Sequence, residues 1–357
     1  MRLLYFTNRD LASNVMLNHL LPLLHPYIQH IFISDKVGKA NSAAPQALQD
    51  LKFFEQILPN EFLFPQLDAQ AKEQKPEYQT FEALSQQYAI PITSLNDVKS
   101  EESLNLIRSL QPDLVLSIRY GRIFGDAFVQ IPRLGVVNFH SGRLPNYRGV
   151  LAIFRALKNG DKAIHGTLHY IDDKTIDTGG IIGFSHLPVN PDRSLLWHIL
   201  HLYPVSAAYV ADQVLSILQG EKPNILAQDE AESAYFSFPS TEEIAEFEAA
   251  GWKVVDATEY AEFIRGYSKN MNYGSIVEGV VTQKRSNLLY EIHCLDGRTL
   301  VASLGKSLIF GAKLSIGAKV FVQLLPRPNN DGRILTETDF KSNNWQGWTD
   351  EHEPNFK

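Results

Sequence analysis

Two hydrophobic periods alternate along this chain. Leu3–Thr7 is a short apolar run of the kind that forms a buried strand, and Leu11 to Leu24 carries apolar residues at helical spacing. Ile31–Ser34 is a second short strand. This β-α-β opening predicts a doubly wound α/β fold around a parallel sheet. Gln46–Leu58 places Leu48, Leu51, Phe54, Ile57 and Leu58 at helical spacing between Pro45 and Pro59, and Glu61–Leu67 (EFLFPQL) reads as an apolar, aromatic loop. A helix over Thr80–Tyr88, a strand over Ile90–Thr93, a helix over Glu101–Leu110 and a buried strand over Pro112–Ser117 follow. Leu134, Val136, Val137 and Phe139 form the next strand, then come a helix over Val150–Leu157 and strands over Gly166–Tyr170 and Ile181–Pro188. Asp192-Arg193-Ser194 opens a long helix to about Leu218, whose apolar face (Leu195, Leu196, Ile199, Leu202 and onward) docks on the sheet.

From Gly220 the pattern changes. Ala234–Pro239 is extended, Ser240-Thr241-Glu242-Glu243 is a capping-box start for a helix ending at Gly251, and Thr258–Gly266 is another helix. Tyr273–Phe340 then alternates with period two. It holds five strands, over Ser275–Thr282, Leu288–Leu295, Thr299–Leu304, Lys319–Leu325 and Gly332–Glu337, with a hairpin signal at Asp296-Gly297. Five strands in so short a span predict a small barrel of the OB type. The expected organisation is therefore an α/β body over 1–219, a connecting region with short helices over 220–272, an OB-like β domain over 273–341 and a tail over 342–357 carrying Trp345 and Trp348.

The chemistry gathers at Val136–Gly149, VVNFHSGRLPNYRG, and its echo at Thr175–Ile182, TIDTGGII. An apolar strand delivers Asn138 and His140 to a turn punctuated by Gly142, Pro145, Asn146 and Gly149. In open α/β sheets, ligands bind outside the carboxyl ends of the strands. The second stretch supplies Asp177 just before Gly179 and Gly180, with Asp172 and Asp173 as rival carboxylates. An amide donor, a titratable imidazole and a carboxylate to orient it make up an acyl-transfer constellation. Nothing resembling Gly-x-Gly-x-x-Gly follows the first strand, which argues against a nicotinamide dinucleotide fingerprint. His165 and His169, four apart, would align as metal ligands on a helix but not along a strand. His198 and His201 are read as packing or solvent-facing residues of the long helix.

Asn-Phe-His, then Leu-Pro-x-Tyr-Arg-Gly, then Ile-Asp-Thr-Gly-Gly-Ile-Ile closely resembles the formyltransferase family that uses 10-formyltetrahydrofolate, from about Gln111 to Ile182 and more loosely over the whole chain. The turn Gly142-Arg143-Leu144-Pro145 stands where many members have Ser-Leu-Leu-Pro. The resemblance implies that Asn138, His140 and Asp177 are catalytic and that no metal is required. It implies that Ile118, Arg119, Tyr120, Gly121 and Ile123 meet the pterin of the folate through their backbone groups, and that Asp173 also contacts the folate. Arg143, Asn146, Tyr147 and Arg148 are candidates to grip the folate tail or an anionic acceptor, since guanidinium suits carboxylate and phosphate. Surface solvation is an equal reading for each of them singly. Lys36–Glu77 reads either as a helix packed on the sheet with a surface excursion or as a lid over the acceptor site.

Composition adjusts this picture at a few points. The single cysteine, Cys294, excludes an internal disulfide and a cysteine-based metal site, and reads as a small core residue. No apolar run is long enough to span a bilayer, and Met1–Phe6 is too briefly apolar for a signal peptide, so the cytoplasm is expected. The net charge of −7 argues against a wholesale nucleic-acid-binding surface and gives no reason to expect DNA. Between Ser275 and Lys341, however, nine Lys or Arg face six Asp or Glu, an excess of three that leaves −10 on the rest. The β module also resembles a single-domain bacterial initiation factor, and Lys284, Arg285, Arg298, Lys306 and Lys313 are candidate phosphate contacts, with dispersed surface charge the alternative. Three functions follow: formyl transfer to a small amine such as a nucleotide-linked amino sugar, formyl transfer to methionyl-tRNA, or a non-catalytic RNA-binding protein. The acidic body and the Lys36–Glu77 insertion favour the small amine.

Overall fold

The computed structural model describes residues 1–35, 45–69, 76–267, 276–286, 289–294, 297–304, 314–327 and 330–335. The tail, Lys306, Lys313 and Asp296 of the hairpin signal lie outside these residues, as do both flanks of the 45–69 segment. Among the described residues no helix is long and apolar enough to cross a membrane.

The first strands and helices follow the apolar runs. β1 (Leu3–Asn8) is wholly buried, α1 (Leu11–Leu24) starts on Asp10, whose carboxylate accepts from the Ser13 amide at 2.7 Å, and β2 is Ile28–Ser34. Next come α2 (Gln46–Lys52), two π-type turns (Phe53–Ile57 and Pro59–Leu63) and α3 (Phe64–Ala69). The EFLFPQL stretch is thus helical, which corrects the loop expectation. Leu63 and Phe64 are buried, and the Phe64 ring meets Phe81 edge-on at 5.9 Å.

α4 (Phe81–Tyr88), β3 (Ile92–Ser94), α5 (Glu101–Leu110), β4 (Leu114–Ile118), a single turn α6 (Asp126–Val129) and β5 (Val136–His140) complete the first half. A two-residue strand β6 (Arg148–Gly149), α7 (Ala152–Lys158), β7 (Ala163–Ile171), β8 (Ile181–Pro188) and α8 (Leu195–Leu218) follow. Strand order is β3-β2-β1-β4-β5-β7-β8. The first five strands are parallel, whereas β5–β7 and β7–β8 are antiparallel. Only nine residues separate β7 from β8, too few for the crossover a parallel pair needs. The sheet is therefore mixed, where a parallel one was expected. β1 lies between β2 and β4, so the chain order reverses at the β1–β4 boundary, the topological switch point.

The stretch after Gly220 is part of this body. Leu226 bridges to Ile181, and β9 (Tyr235–Phe236) pairs in parallel with β6. α9 (Thr241–Ala249) begins with the expected capping box on Ser240 and Glu243, and Glu243 pairs with the buried Arg155 of α7. The first compact unit ends at Val255 and the second begins at Asp256, whereas the reading of the pattern placed the change at 219. Composition shifts at Gly220 because the sheet is complete there; the chain then runs back along its open end.

The second unit contains α10 (Ala257–Ile264) and the strands β10 (Ile276–Lys284), β11 (Leu289–Cys294), β12 (Thr299–Leu304), β13 (Lys319–Arg327) and β14 (Asn330–Leu335). Their pairing closes a ring in the order β10-β11-β12-β14-β13 around Val281, Tyr290, Ile292, Cys294, Ala302, Val322 and Ile334. Cys294 is the small buried residue expected. Arg285, one of the candidate phosphate contacts, is held by Glu291 at 3.0 Å.

Candidate active site

Strand geometry assembles the site. Asn138 and His140 are two apart on β5 and so share a face, while Phe139 between them turns to Tyr203 of α8, with ring centroids 6.1 Å apart. Antiparallel register sets His169 of β7 opposite Asn138 and Thr167 opposite His140. Asn138 Nδ2 lies 3.1 Å from His169 Nε2. The Thr167 hydroxyl donates to the Gly142 carbonyl at 2.6 Å and accepts from the Leu144 amide at 3.2 Å, which pins the turn after His140. That turn has no room for a side chain at Gly142: a Cβ there would lie 2.5 Å from Ala152 Cβ and 2.7 Å from His140 Nε2.

Asp177 reaches the same place from the β7–β8 connection, with its backbone at φ +57°. Its Oδ2 accepts from the Gly149 amide at 3.0 Å and lies 3.4 Å from His140 Nδ1, and its Oδ1 is 3.6 Å from His169 Nε2. The other His140 nitrogen, Nε2, is 2.6 Å from the Tyr147 carbonyl, so both ring nitrogens face oxygen acceptors. Burial alone would raise the Asp177 carboxyl. The His140 and His169 imidazoles and the Gly149 amide outweigh that and hold it well below the ordinary carboxylate range. Gly149 must be glycine: it sits at φ +98°, and a Cβ would lie 2.1 Å from the Phe236 carbonyl across the β6–β9 pair. The Gln228 amide donates to the carbonyls of Asp177 and Gly179, each at 2.8 Å, and clamps the loop that carries the carboxylate.

Of the residues the sequence singled out, the structure brings Asn138, His140 and Asp177 together. The rival carboxylates make local turn bonds. Asp172 accepts from Gly180 N at 3.4 Å, and exposed Asp173 accepts from Thr175 N at 2.7 Å. Ile118 ends β4 and is buried, and Ile123 is exposed. The Tyr120 hydroxyl donates to Leu95 O at 2.5 Å, and the Gly121 amide donates to Ser34 Oγ at 3.0 Å. Arg119 extends across the switch point to Asp10, Glu55 and Tyr203. Its side chain serves the interior, while the folate contact that the resemblance implies for this stretch is one of backbone groups.

The four acceptor candidates divide. Arg143 is exposed and lies over the Phe184 ring, 5.5 Å from its centroid. Asn146 donates to Glu232 O at 3.3 Å, and the buried Tyr147 donates to Asp161 at 2.9 Å. Arg148 is 7% exposed, held by Gln228 at 2.8 Å and by Glu230 at 2.7 Å. Asn146 and Arg148 thus fasten the turn to the 228–236 stretch, and Tyr147 ties it to Asp161.

Reading the sequence also missed His169, Thr167 and Gln228. His169 was weighed only as a metal ligand. The β5–β7 antiparallel pairing was the signal that could have placed it opposite Asn138. Gln228 lies 51 residues from Asp177 and had no local signal.

Asn138, His140, His169 and Asp177 thus converge beyond one strand end of an open α/β sheet. Residues 51–196 match the family model of the formyl transferases. The methionyl-tRNA formyltransferase of Syntrophomonas wolfei subsp. wolfei is 30% identical over 162 residues, 45% of this chain and 51% of that protein. That of Lysinibacillus sphaericus is 30% identical over 184 residues, 52% of this chain and 56% of that protein. The chain spans about half the length of the curated relatives it matches. A 4-N formyltransferase crystal structure from Francisella tularensis aligns over 85% of this chain and 96% of that one, at 14% identity and a TM-score of 0.45.

Proposed function

We propose that this chain is an N-formyltransferase that moves a formyl group from 10-formyltetrahydrofolate to a small primary amine, such as an amino sugar carried on a nucleotide. The observation that carries the reading is the cluster of Asn138, His140 and Asp177 at the end of β5. In the reaction the amine nitrogen attacks the formyl carbon, and the carbonyl oxygen becomes an oxyanion. The Asn138 amide and an N–H of His140 are the donors for that charge. The tetrahedral carbon then releases the folate nitrogen. The proton lost by the amine passes by way of His140 to that leaving nitrogen, so the products are a formamide and tetrahydrofolate. Asp177 orients the His140 ring and offsets its positive charge.

The acceptor class rests on charge. Outside 275–341 the chain carries a formal −10, which disfavours a polyphosphate backbone across the body. A methionyl-tRNA acceptor has its own support in the names of the matched relatives and in the small excess of base in 275–341. The test is to incubate the full chain with 10-formyltetrahydrofolate and a panel of nucleotide-linked amino sugars, simple amines and methionyl-tRNA, following formamide, formate and tetrahydrofolate together. Formamide from an amino sugar supports the proposal. Formylated methionyl-tRNA alone overturns the small acceptor, and formate alone, or no consumption of the folate, overturns formyl transfer.

A further inference from the structure

The chain after α8 comes back to the loop that carries Asp177 and is fastened there at three points. Leu226 exchanges both backbone hydrogen bonds with Ile181 at the start of β8, at 2.8 and 2.9 Å. The amides of Arg148 and Val150 donate to the carbonyls of Ala234 and Phe236 at 2.9 and 3.0 Å, in the β6–β9 pair. Between these two anchors lies the third, Gln228. Its Nε2 donates to the carbonyls of Asp177 and Gly179, each at 2.8 Å, and its Oε1 accepts from Arg148 Nε at 3.1 Å and Nη2 at 2.8 Å. Arg148 is itself aimed by Glu230, which accepts from Nη1 at 3.0 Å and from Nη2 at 2.7 Å.

Both N–H groups and both lone pairs of the Gln228 amide are therefore used, and its two ends cannot be exchanged. Two carbonyl oxygens can meet only its NH2, and a guanidinium can meet only its oxygen. The amide has one orientation, and the loop is held to it. The bond to the Asp177 carbonyl matters most, because Asp177 has φ +57°, a region that residues other than glycine seldom occupy. A return to an ordinary φ would re-aim the side chain, whose oxygens lie 3.4 Å from His140 Nδ1 and 3.6 Å from His169 Nε2. The carboxylate is held from the same strand: Gly149, next to Arg148 in β6, donates its amide to Asp177 Oδ2 at 3.0 Å. Adjacent residues of β6 thus fix both halves of Asp177, Gly149 the carboxylate directly and Arg148 the backbone by way of Gln228.

We infer that Gln228 is a positioning residue of the site: it holds the Asp177 backbone in its left-handed conformation and, through Arg148, in register with the Gly149 amide that holds the carboxylate. The inference rests on the role proposed for Asp177 in formyl transfer. It gives Arg148 a part in that role other than contact with the acceptor, since its guanidinium turns the Gln228 amide so that both N–H groups face the loop.

Two substitutions in the full chain separate the donors of Gln228 from its acceptor. Gln228→Met keeps the length and bulk of the side chain and removes all of its hydrogen bonds; Gln228→Glu keeps the acceptor for Arg148 and removes the donors. Each should lower kcat for formyl transfer by roughly tenfold to a hundredfold, the scale of a misplacement of about 1 Å, with the KM for 10-formyltetrahydrofolate unchanged. With 13C-labelled aspartate, the Asp177 carboxyl of wild type should titrate well below the ordinary carboxylate range. That of each variant should titrate closer to about pH 4, as the oxygens leave His140, His169 and the Gly149 amide. In the Asp177→Asn background, Gln228→Met should cost little further kcat, because the group it places is gone. An unchanged kcat in either folded variant, an unmoved Asp177 signal, or additive losses in the double variant overturns the inference. If the wild-type chain forms no formamide with any acceptor, the proposed function fails separately, and the Asp177 titration still decides whether Gln228 places that carboxylate.

Discussion

Asp177→Asn is the sharpest test of how the cluster works. In the folded chain Oδ2 accepts from the Gly149 amide at 3.0 Å and faces His140 Nδ1 at 3.4 Å, while Oδ1 faces His169 Nε2 at 3.6 Å. Asparagine has one oxygen for these three neighbours. If that oxygen keeps the Gly149 bond, the new NH2 points at an imidazole N–H and the ring must change tautomer or turn away. The loss is that of one hydrogen bond to a charged group, about 1.5–3 kcal/mol. If it is felt only in the transition state, kcat falls by roughly 10- to 150-fold with KM unchanged. Steady-state kinetics on both substrates measures this, and a kcat within a factor of about two of wild type would refute the orienting role of Asp177. The substitution also carries a stability signature whose sign is fixed. A carboxyl held below its ordinary pKa stabilises the fold fully above the unfolded value, about pH 4, and loses that contribution as pH falls through the folded value. Wild type should therefore lose melting temperature below about pH 4 more steeply than Asp177→Asn. Parallel acid limbs would show that the histidines and the Gly149 amide do not hold this carboxylate in its charged form.

Asn138→Ala removes an oxyanion donor and should cost about 2.7–4 kcal/mol in kcat, with folate-analogue binding retained in a titration; an unaffected kcat would take Asn138 out of the chemistry. Gly142→Ala forces a Cβ to within 2.7 Å of His140 Nε2 and 2.5 Å of Ala152 Cβ, so kcat should fall while the circular dichroism stays that of a folded protein. Arg148→Met should lower stability by about 1–3 kcal/mol in urea, through loss of its bonds to Gln228 and Glu230, with the acceptor KM little changed. A rise in KM with stability intact would restore Arg148 to the acceptor site.

What could be read in the sequence was what local periodicity encodes. β1 and β4 are buried throughout and appear as largely apolar runs, β2 and β5 are buried over most of their length, and α8 shows its apolar face along its whole length. Asn138 and His140 stood out because a strand ending on Gly and Pro turns displays its last polar residues. Asp177 stood out through the glycines after it. The misreadings have particular causes. Pro59, just before EFLFPQL, and Pro65, within it, look like breakers, yet Pro59 opens the second π-type turn and Pro65 is the second residue of α3, both within a continuous helical run. β6 and β9 are two residues each, too short to show a period, so their pairing and its demand on Gly149 were invisible.

Arg119 and Arg148 mark the limit most clearly. Both precede or follow glycines beside the chemistry, and a guanidinium in that setting invites an anionic ligand. Each instead meets partners the chain supplies from far away: Asp10 and Glu55, 109 and 64 residues distant, for Arg119, and Gln228 and Glu230, 80 and 82 residues distant, for Arg148. A charge buried without a partner would not be tolerated. Where the arginine itself falls on a tightly packed strand end, the better first expectation is therefore an internal carboxylate, and the search for an anionic substrate belongs with the arginine left exposed. In this chain that residue is Arg143, which lies beside the turn after His140 with its guanidinium over Phe184.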